Sequence, residues 1–298
     1  MYKILKAEYL NNDILLMDIE APRIASNCLP GQFLIAKTDE KGERIPLTIC
    51  DYNREKGTVT IVFQIVGAST KKMASLKAGD AMMDMVGPLG CASELIMEGA
   101  DRLKAEDKKI LFVAGGVGTA PVYPQVKWMH ENGIDCDVII GARSKEILIL
   151  EEEMKEVAGN LYVTTDDGSY GRSGMVTDTI KYLVEEEGRK YDVCVAIGPM
   201  IMMKFVVLLT KQLNIPTIVS LNPIMVDGTG MCGACRVKVG DEIKFACVDG
   251  PEFDGFLVDF DGAMKRQRIY KTEEGRKLLA LEEGDTHHGG CGHCGGDK

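Results

Sequence analysis

The most specific chemical signal in the chain is an aspartate and three cysteines, spaced Asp227-x4-Cys232-x2-Cys235-x11-Cys247. Plant-type 2Fe–2S sites use a C-x4-C-x2-C run and a distant fourth cysteine. Three cysteines here keep that spacing, and Asp227 stands in the first ligand position. Gly228, Gly230, Gly233 and Ala234 leave the backbone room to wrap a cluster and aim N–H groups at its sulfides. Three readings compete. A 2Fe–2S cluster held by one carboxylate and three thiolates is favoured. A zinc site with the same ligands is the second, and a cysteine-rich hairpin without metal is the third. A carboxylate donates less electron density than a thiolate and can be protonated, so Asp227 is expected to alter a cluster's potential.

A second group of residues suits a nucleotide. The apolar run 110–114 ends in Gly115, Gly116 and Gly118, followed by Thr119, Ala120 and Pro121. A strand that ends in glycines and starts a helix lets unpaired N–H groups approach a pyrophosphate. Pro121 departs from the full G-x-G-x-x-G pattern, and an ordinary β-to-α turn is the alternative. Beyond the next apolar run lie Gly141, Arg143 and Lys145, where an NAD site would usually carry an acidic residue. Taken alone, the two basic residues would suit a 2′-phosphate; a solvated basic turn explains them equally well. Asp166 and then Gly198, Pro199 and Met200 follow further runs, at strand ends where open α/β sheets bind ligands.

A third group precedes these. Arg44 is a candidate for a pyrophosphate, and Pro46, Leu47 and Thr48 for a flavin surface. Gln64, Ile65, Val66, Gly67, Ser69 and Thr70 offer backbone N–H groups and hydroxyls without bulk. Cys50 and Tyr52, just past the first of these motifs, are also placed to touch a flavin.

These sites need elements to hold them. The 298 residues predict about two domains at roughly 150 residues each, plus a small appendage. Residues 1–99 carry short apolar runs (14–19, 33–36, 59–66, 81–86) between turn residues, the texture of a β-barrel. The charged stretch 101–109 reads as a linker. From 110 to 222, apolar strands alternate with helical stretches, which predicts a doubly wound parallel sheet. Residues 223–260 are rich in Gly, Cys and Asp, with a hairpin across Gly240-Asp241, and are too short for a good core; a metal could supply the missing stability. Residues 261–298 form an extension. In its tail, Cys291 and Cys294 with His287, His288 and His293 read as incidental metal binders.

Composition excludes several classes. The net charge of −10 is wrong for a nucleic-acid or anionic-lipid partner. No stretch has the roughly 20 uninterrupted apolar residues of a membrane span. The start of the chain lacks a secretion signal, which points to the cytoplasm and makes disulfides the weakest reading of the ten cysteines. Cys28, Cys50, Cys91, Cys136 and Cys194 are isolated and expected in the core.

A flavin segment followed by a nucleotide domain resembles the ferredoxin reductase superfamily, in which a β-barrel binds flavin and the next domain binds NAD(P). The superfamily's usual Arg lies three residues before the Ser/Thr. Here that position is Ile45, and Arg44 is displaced by one. The run from Asn222 through Asp227 and Cys232 to Cys235, with Ala246 to Phe253, is similar to the small (alpha) subunits of NADH-dependent ferredoxin:NADP oxidoreductases. These are subunits of electron-bifurcating transhydrogenases, and sulfide dehydrogenase small subunits are of the same kind. The electron-transfer subunit of dihydroorotate dehydrogenase B is a near relative with cysteine where Asp227 stands. The resemblance implies one FAD, one 2Fe–2S cluster and an NAD(H) site, with NADP(H) the alternative nucleotide. Hydride exchange at the flavin would be joined to one-electron traffic through the cluster, with no side-chain acid or base. It further implies a larger partner subunit with a second FAD and 4Fe–4S clusters that meets NADP(H) and ferredoxin, in a heterodimer or higher assembly. A dihydroorotate or sulfide dehydrogenase subunit, and a non-catalytic subunit with a structural metal, are the alternatives.

Overall fold

The computed structural model describes residues 1–283. Seven antiparallel strands come first: β1 (Tyr2–Asn11), β2 (Ile14–Glu20), β3 (Phe33–Lys37), β4 (Ile45–Asn53), β5 (Thr58–Gln64), β6 (Ala81–Met82) and β7 (Asp84–Leu89). They pair in the order β6-β1-β2-β5-β4-β3-β7. The two edges are consecutive in the chain, separated only by Met83, so the sheet curls into a nearly closed barrel. Register follows the apolar alternation: Leu15, Met17 and Ile19 oppose Phe63, Ile61 and Val59, and all six side chains are buried together. Two short helices, α1 (Pro22–Asn27) and α2 (Ala68–Ala74), complete the unit.

Two strands lie where the apolar runs give no sign of them. Within β1 only Ile4 is buried, and β4 takes in the flavin motif itself and its Pro46. The charged stretch 101–109 is also not a plain linker. After α3 (Glu94–Glu98), α4 (Ala100–Ala105) runs into it and buries Leu103 under the next sheet.

That sheet is built from β8 (Ile110–Gly115), β9 (Asp137–Ala142), β10 (Asn160–Thr165), β11 (Arg172–Ser173), β12 (Val193–Ile197) and β13 (Thr217–Ser220), in the order β11-β10-β9-β8-β12-β13. All are parallel, and β8 and β12 are buried along their whole length because helices cover both faces. The helices are α5 (Thr119–Glu131), α6 (Glu151–Val157), α7 (Val176–Lys181) and α8 (Met200–Gln212). Strand order reverses between β8 and β12, which opens a crevice at their carboxyl ends.

The cysteine segment follows: β14 (Arg236–Val239) and β15 (Glu242–Phe245) form the expected hairpin, with Gly240 at φ +59° in its turn. Then β16 (Glu252–Asp254) returns to the nucleotide sheet and pairs antiparallel with β13. The helices α9 (Phe260–Arg266) and α10 (Lys271–Glu283) end the described chain.

Barrel and nucleotide sheet share a packed boundary. Ile14, Cys50 and Val62 of the barrel meet Ala120, Ile149 and Leu150, and Lys127 on α5 pairs with Asp51 at 2.8 Å. Cys28, Cys50, Cys136 and Cys194 are buried as expected, but Cys91 is exposed, its thiol donating to the Val248 carbonyl at 3.3 Å. None of the described helices is long and apolar enough to cross a membrane. The tail cysteines and histidines lie outside the described residues.

Candidate flavin, nucleotide and iron–sulfur site

A cleft of about 940 Å³ runs between barrel and parallel sheet. On the barrel side, Pro46, Leu47 and Thr48 from β4, Gln64 at the end of β5, Val66 just past it and Thr70 of α2 line it. Thr70 Oγ1 accepts from the amides of Val66 and Gly67 at 3.0 Å each, which shapes this wall. A Cβ on Gly67 would meet no atom within 4 Å, so the backbone stands open here. Ile65 packs into the barrel core, and the Ser69 hydroxyl donates to Glu43. Cys50 and Tyr52 are not among the lining residues.

On the sheet side, Gly116, Gly118, Gly141, Arg143, Asp166, Gly198 and Pro199 line the cleft. The glycines do different work. Gly116 has φ +55° and open space where a Cβ would point. At Gly118 a Cβ would lie 2.3 Å from the Ile197 carbonyl oxygen, so the loop after β8 must pass bare against the end of β12. Gly118→Ala should therefore push this loop out of place, cost about 1–3 kcal/mol of stability and weaken NADH binding. Thermal unfolding and an NADH titration measure the two effects, and an unchanged protein would contradict the close approach. Thr119, Ala120 and Met200 do not line the cleft. All three are buried, with Thr119 Oγ1 donating to the Gly116 carbonyl at 3.0 Å.

The far rim is set by loops stitched across β9 and β10. The Asp166 and Asp167 amides donate to the Ala142 and Arg143 carbonyls at 3.0 and 3.1 Å. The Lys145 ammonium lies over the Tyr170 ring, 4.8 Å from its centroid, and the Tyr170 hydroxyl donates to Glu151 at 2.9 Å. Lys145 is thus drawn away from the cleft, and Arg143 and Asp166 face it together. Residues missed from sequence include Phe33 of the barrel, Ile201, Met202 and Phe205 on one side of α8, and Asn222, Pro223 and Met225 after β13. Helical spacing after Gly198-Pro199 was the available signal for the α8 group.

The segment through Met225 leads from the cleft wall directly into the cysteine loop. Arg44 does not line the cleft. Its guanidinium donates to the Val226 and Asp227 carbonyls at 3.1 and 3.2 Å and ties the flavin motif to the loop. Of the four expected ligands, two are brought together: the Cys235 and Cys247 sulfurs are 3.2 Å apart and buried. Asp227 and Cys232 do not join them, and no three His, Cys, Asp or Glu side chains converge on a metal position among the described residues. The Asp227 carboxylate instead accepts from the Thr229 hydroxyl and amide at 2.6 and 2.9 Å, which hold its pKa below the usual range. Backbone N–H groups, that of Ala234 foremost, lower the exposed Cys232 thiol. Burial, then the neighbouring Cys235, push Cys247 up to about 12.

The donor set and cradle fit a cluster. Two thiolates on one tetrahedral ion would lie roughly 3.8 Å apart, so the Cys235–Cys247 pair needs little adjustment. Gly228, Gly230 and Gly233 have φ of +83°, +86° and +65°, and amides face Cys232 as they would face a bound sulfide. The fit of a flavin rests on the open barrel wall at Gly67 and that of a nucleotide on Gly116.

A seven-stranded barrel joined to a parallel sheet, with the site in the crevice between them, defines a ferredoxin-reductase-like oxidoreductase. The same fold occurs in the cytochrome P450 reductase GcoB of Amycolatopsis (19% identity, TM-score 0.58, 71% of this chain and 65% of that one). Residues 112–207 match the oxidoreductase NAD-binding domain, and 222–259 the iron–sulfur cluster binding domain of dihydroorotate dehydrogenase B.

The chain belongs to the family of dihydroorotate dehydrogenase B-type electron-transfer subunits. The cofactor set of this class is FAD, a 2Fe–2S cluster and NAD(H). A Thermotoga maritima relative, a homologue of the dihydroorotate dehydrogenase B (NAD(+)) electron-transfer subunit, is 46% identical over 91% of this chain and 92% of its own. A Clostridium beijerinckii protein from the adh 3′ region is 65% identical over the whole of both. A solved chain of NADH-dependent reduced ferredoxin–NADP oxidoreductase, described for flavin-based electron bifurcation, superposes with a TM-score of 0.85 at 43% identity, over 95% of this chain and 98% of that one.

Proposed function

We propose that this protein is the small subunit of an electron-bifurcating NADH-dependent ferredoxin:NADP oxidoreductase, working in the cytoplasm beside a larger subunit that carries a second FAD and 4Fe–4S clusters. The observation that carries the reading is the unbroken wall from cleft to cysteine loop, fastened by Arg44 and headed by an aspartate in the first ligand position. A cysteine there would favour a dihydroorotate dehydrogenase subunit. That second reading keeps support from the names of the relatives.

Bound flavin supplies hydride exchange, and a bound cluster supplies single-electron transfer. Pro46, Leu47, Thr48, Gln64, Val66 and Thr70 hold the flavin. Gly116, Gly118, Gly141, Asp166, Gly198 and Pro199 hold NAD(H) across the cleft from it. Asp227, Cys232, Cys235 and Cys247 would hold the cluster, the last two from thiols that already lie side by side. Arg44 keeps the loop seated against the barrel.

Purification from the native cell tests the assignment. A larger flavin- and iron-containing chain should co-purify, and NADH should bleach the flavin absorbance. Co-purification with a dihydroorotate-oxidising chain would transfer the protein to the second reading. A colourless chain that NADH leaves unchanged would end both.

A further inference from the structure

The wall between cleft and cysteine loop carries one polar side chain that none of these roles uses. Asn222 lines the cleft two residues past β13. It is exposed between Leu221 and Pro223, which are both buried. A residue before proline is confined to extended backbone, so side chains alternate here and the Asn222 amide stands out from the wall.

This stretch belongs to the flavin side of the cleft. Leu221 shares a buried apolar cluster with Phe33 of β3, and Phe33 pairs with Thr48 of the flavin motif. Phe33 and Thr48 both line the cleft, as does Pro251, whose carbonyl accepts from the Leu221 amide at 2.9 Å.

The Asn222 amide is also oriented. Gln267, at the end of α9, donates Nε2 to the Asn222 backbone carbonyl at 2.9 Å and to Asn222 Oδ1 at 3.2 Å. A carbonyl only accepts, so the first bond fixes which end of the Gln267 amide faces Asn222. The second then fixes Asn222: its oxygen turns to Gln267 and its Nδ2 is left as a donor. Among the described residues no acceptor meets Nδ2. The adjoining Arg266 donates to the Ala234 carbonyl at 3.2 Å, so the end of α9 grips the cleft wall and the cysteine loop together.

We propose that Asn222 binds the flavin ring, donating Nδ2 to a ring carbonyl, and that Gln267 is the positioning residue that aims it. The inference rests on the flavin reading above. The lining around Asn222 (Phe33, Pro223, Met225 and Pro251) is uncharged, which suits a planar ring with carbonyl edges better than a phosphate. Ring carbonyls carry more negative charge in reduced than in oxidised flavin, so a fixed donor holds the reduced form more tightly.

Redox titration of the full chain loaded with FAD tests this, with the flavin carbonyl stretches followed by Raman spectroscopy. Asn222→Leu removes the donor and adds no charge. The ratio of reduced to oxidised flavin at a fixed potential should fall about tenfold, the loss of one charge-assisted bond, which is about 30 mV for a two-electron couple. A flavin carbonyl band should also move to higher frequency. Gln267→Leu, which leaves Asn222 in place but frees its amide to turn, should shift both readouts in the same direction by less. Unchanged potential and carbonyl bands in Asn222→Leu would overturn the proposal. So would weaker NADH binding as its only effect, which would place the amide on the nicotinamide. No shift in Gln267→Leu would overturn the positioning role. A reconstituted wild type that holds no flavin would overturn the functional reading and this inference with it, whereas a bound flavin indifferent to Asn222→Leu would overturn this inference alone.

Discussion

Cys247→Ser should abolish the iron–sulfur cluster while leaving the flavin reducible by NADH. Cys247 is 2% exposed and its sulfur stands 3.2 Å from that of Cys235. A serine oxygen in its place is a poor thiolate substitute for iron, and Asp227 and Cys232, already ligands in this reading, cannot replace it. The flavin and nucleotide walls lie on other elements, so hydride exchange should persist when onward transfer fails. The hairpin of β14 and β15 has little core of its own, and loss of the metal should also loosen it. Iron assay, visible spectrum and limited proteolysis of the cysteine segment read these effects. Full iron content in the variant would remove Cys247 from the ligand set.

The second large effect is expected at the nucleotide rim. Asp166→Ser should weaken NADH and improve NADPH. Asp166 faces the cleft beside Arg143, where a carboxylate can accept from ribose hydroxyls and repel a 2′-phosphate. Losing a charge-assisted hydrogen bond costs about 1.5–3 kcal/mol, roughly 10- to 150-fold in NADH affinity. Removal of the like charge also leaves Arg143 free to meet a phosphate. Flavin bleaching titrated with each nucleotide measures the change, and an unaltered NADH:NADPH ratio would place the ribose elsewhere.

What the sequence makes legible follows from what each element buries. Five strands of the parallel sheet read as plain apolar runs, so their positions emerge within a residue or so, whereas the exposed two-residue β11 leaves no run to read. In β1 only Ile4 is buried, and β16 offers only Phe253 between Glu252 and Asp254. Neither carries a pattern to find, because pairing makes them: β1 with β2 and β6, β16 with β13. The glycine loop and the cysteine spacing are legible because their chemistry demands particular residues at particular distances. Arg44 is legible as a cation but not in its destination, the carbonyls of residues far along the chain. Lys145 reads equally as a phosphate ligand and as a solvated basic side chain; its place over the Tyr170 ring has no signal in the sequence.

Because β13 and β16 are neighbours in one sheet, the cysteine hairpin is an excursion inserted between them rather than a module appended at the end. A fragment stopped at residue 222 would not simply lose its redox tail. It would bare the long side of β13, an unpaired strand edge of the kind that recruits other chains into aggregates. Grafting this hairpin onto another reductase would likewise require its return strand to travel with it.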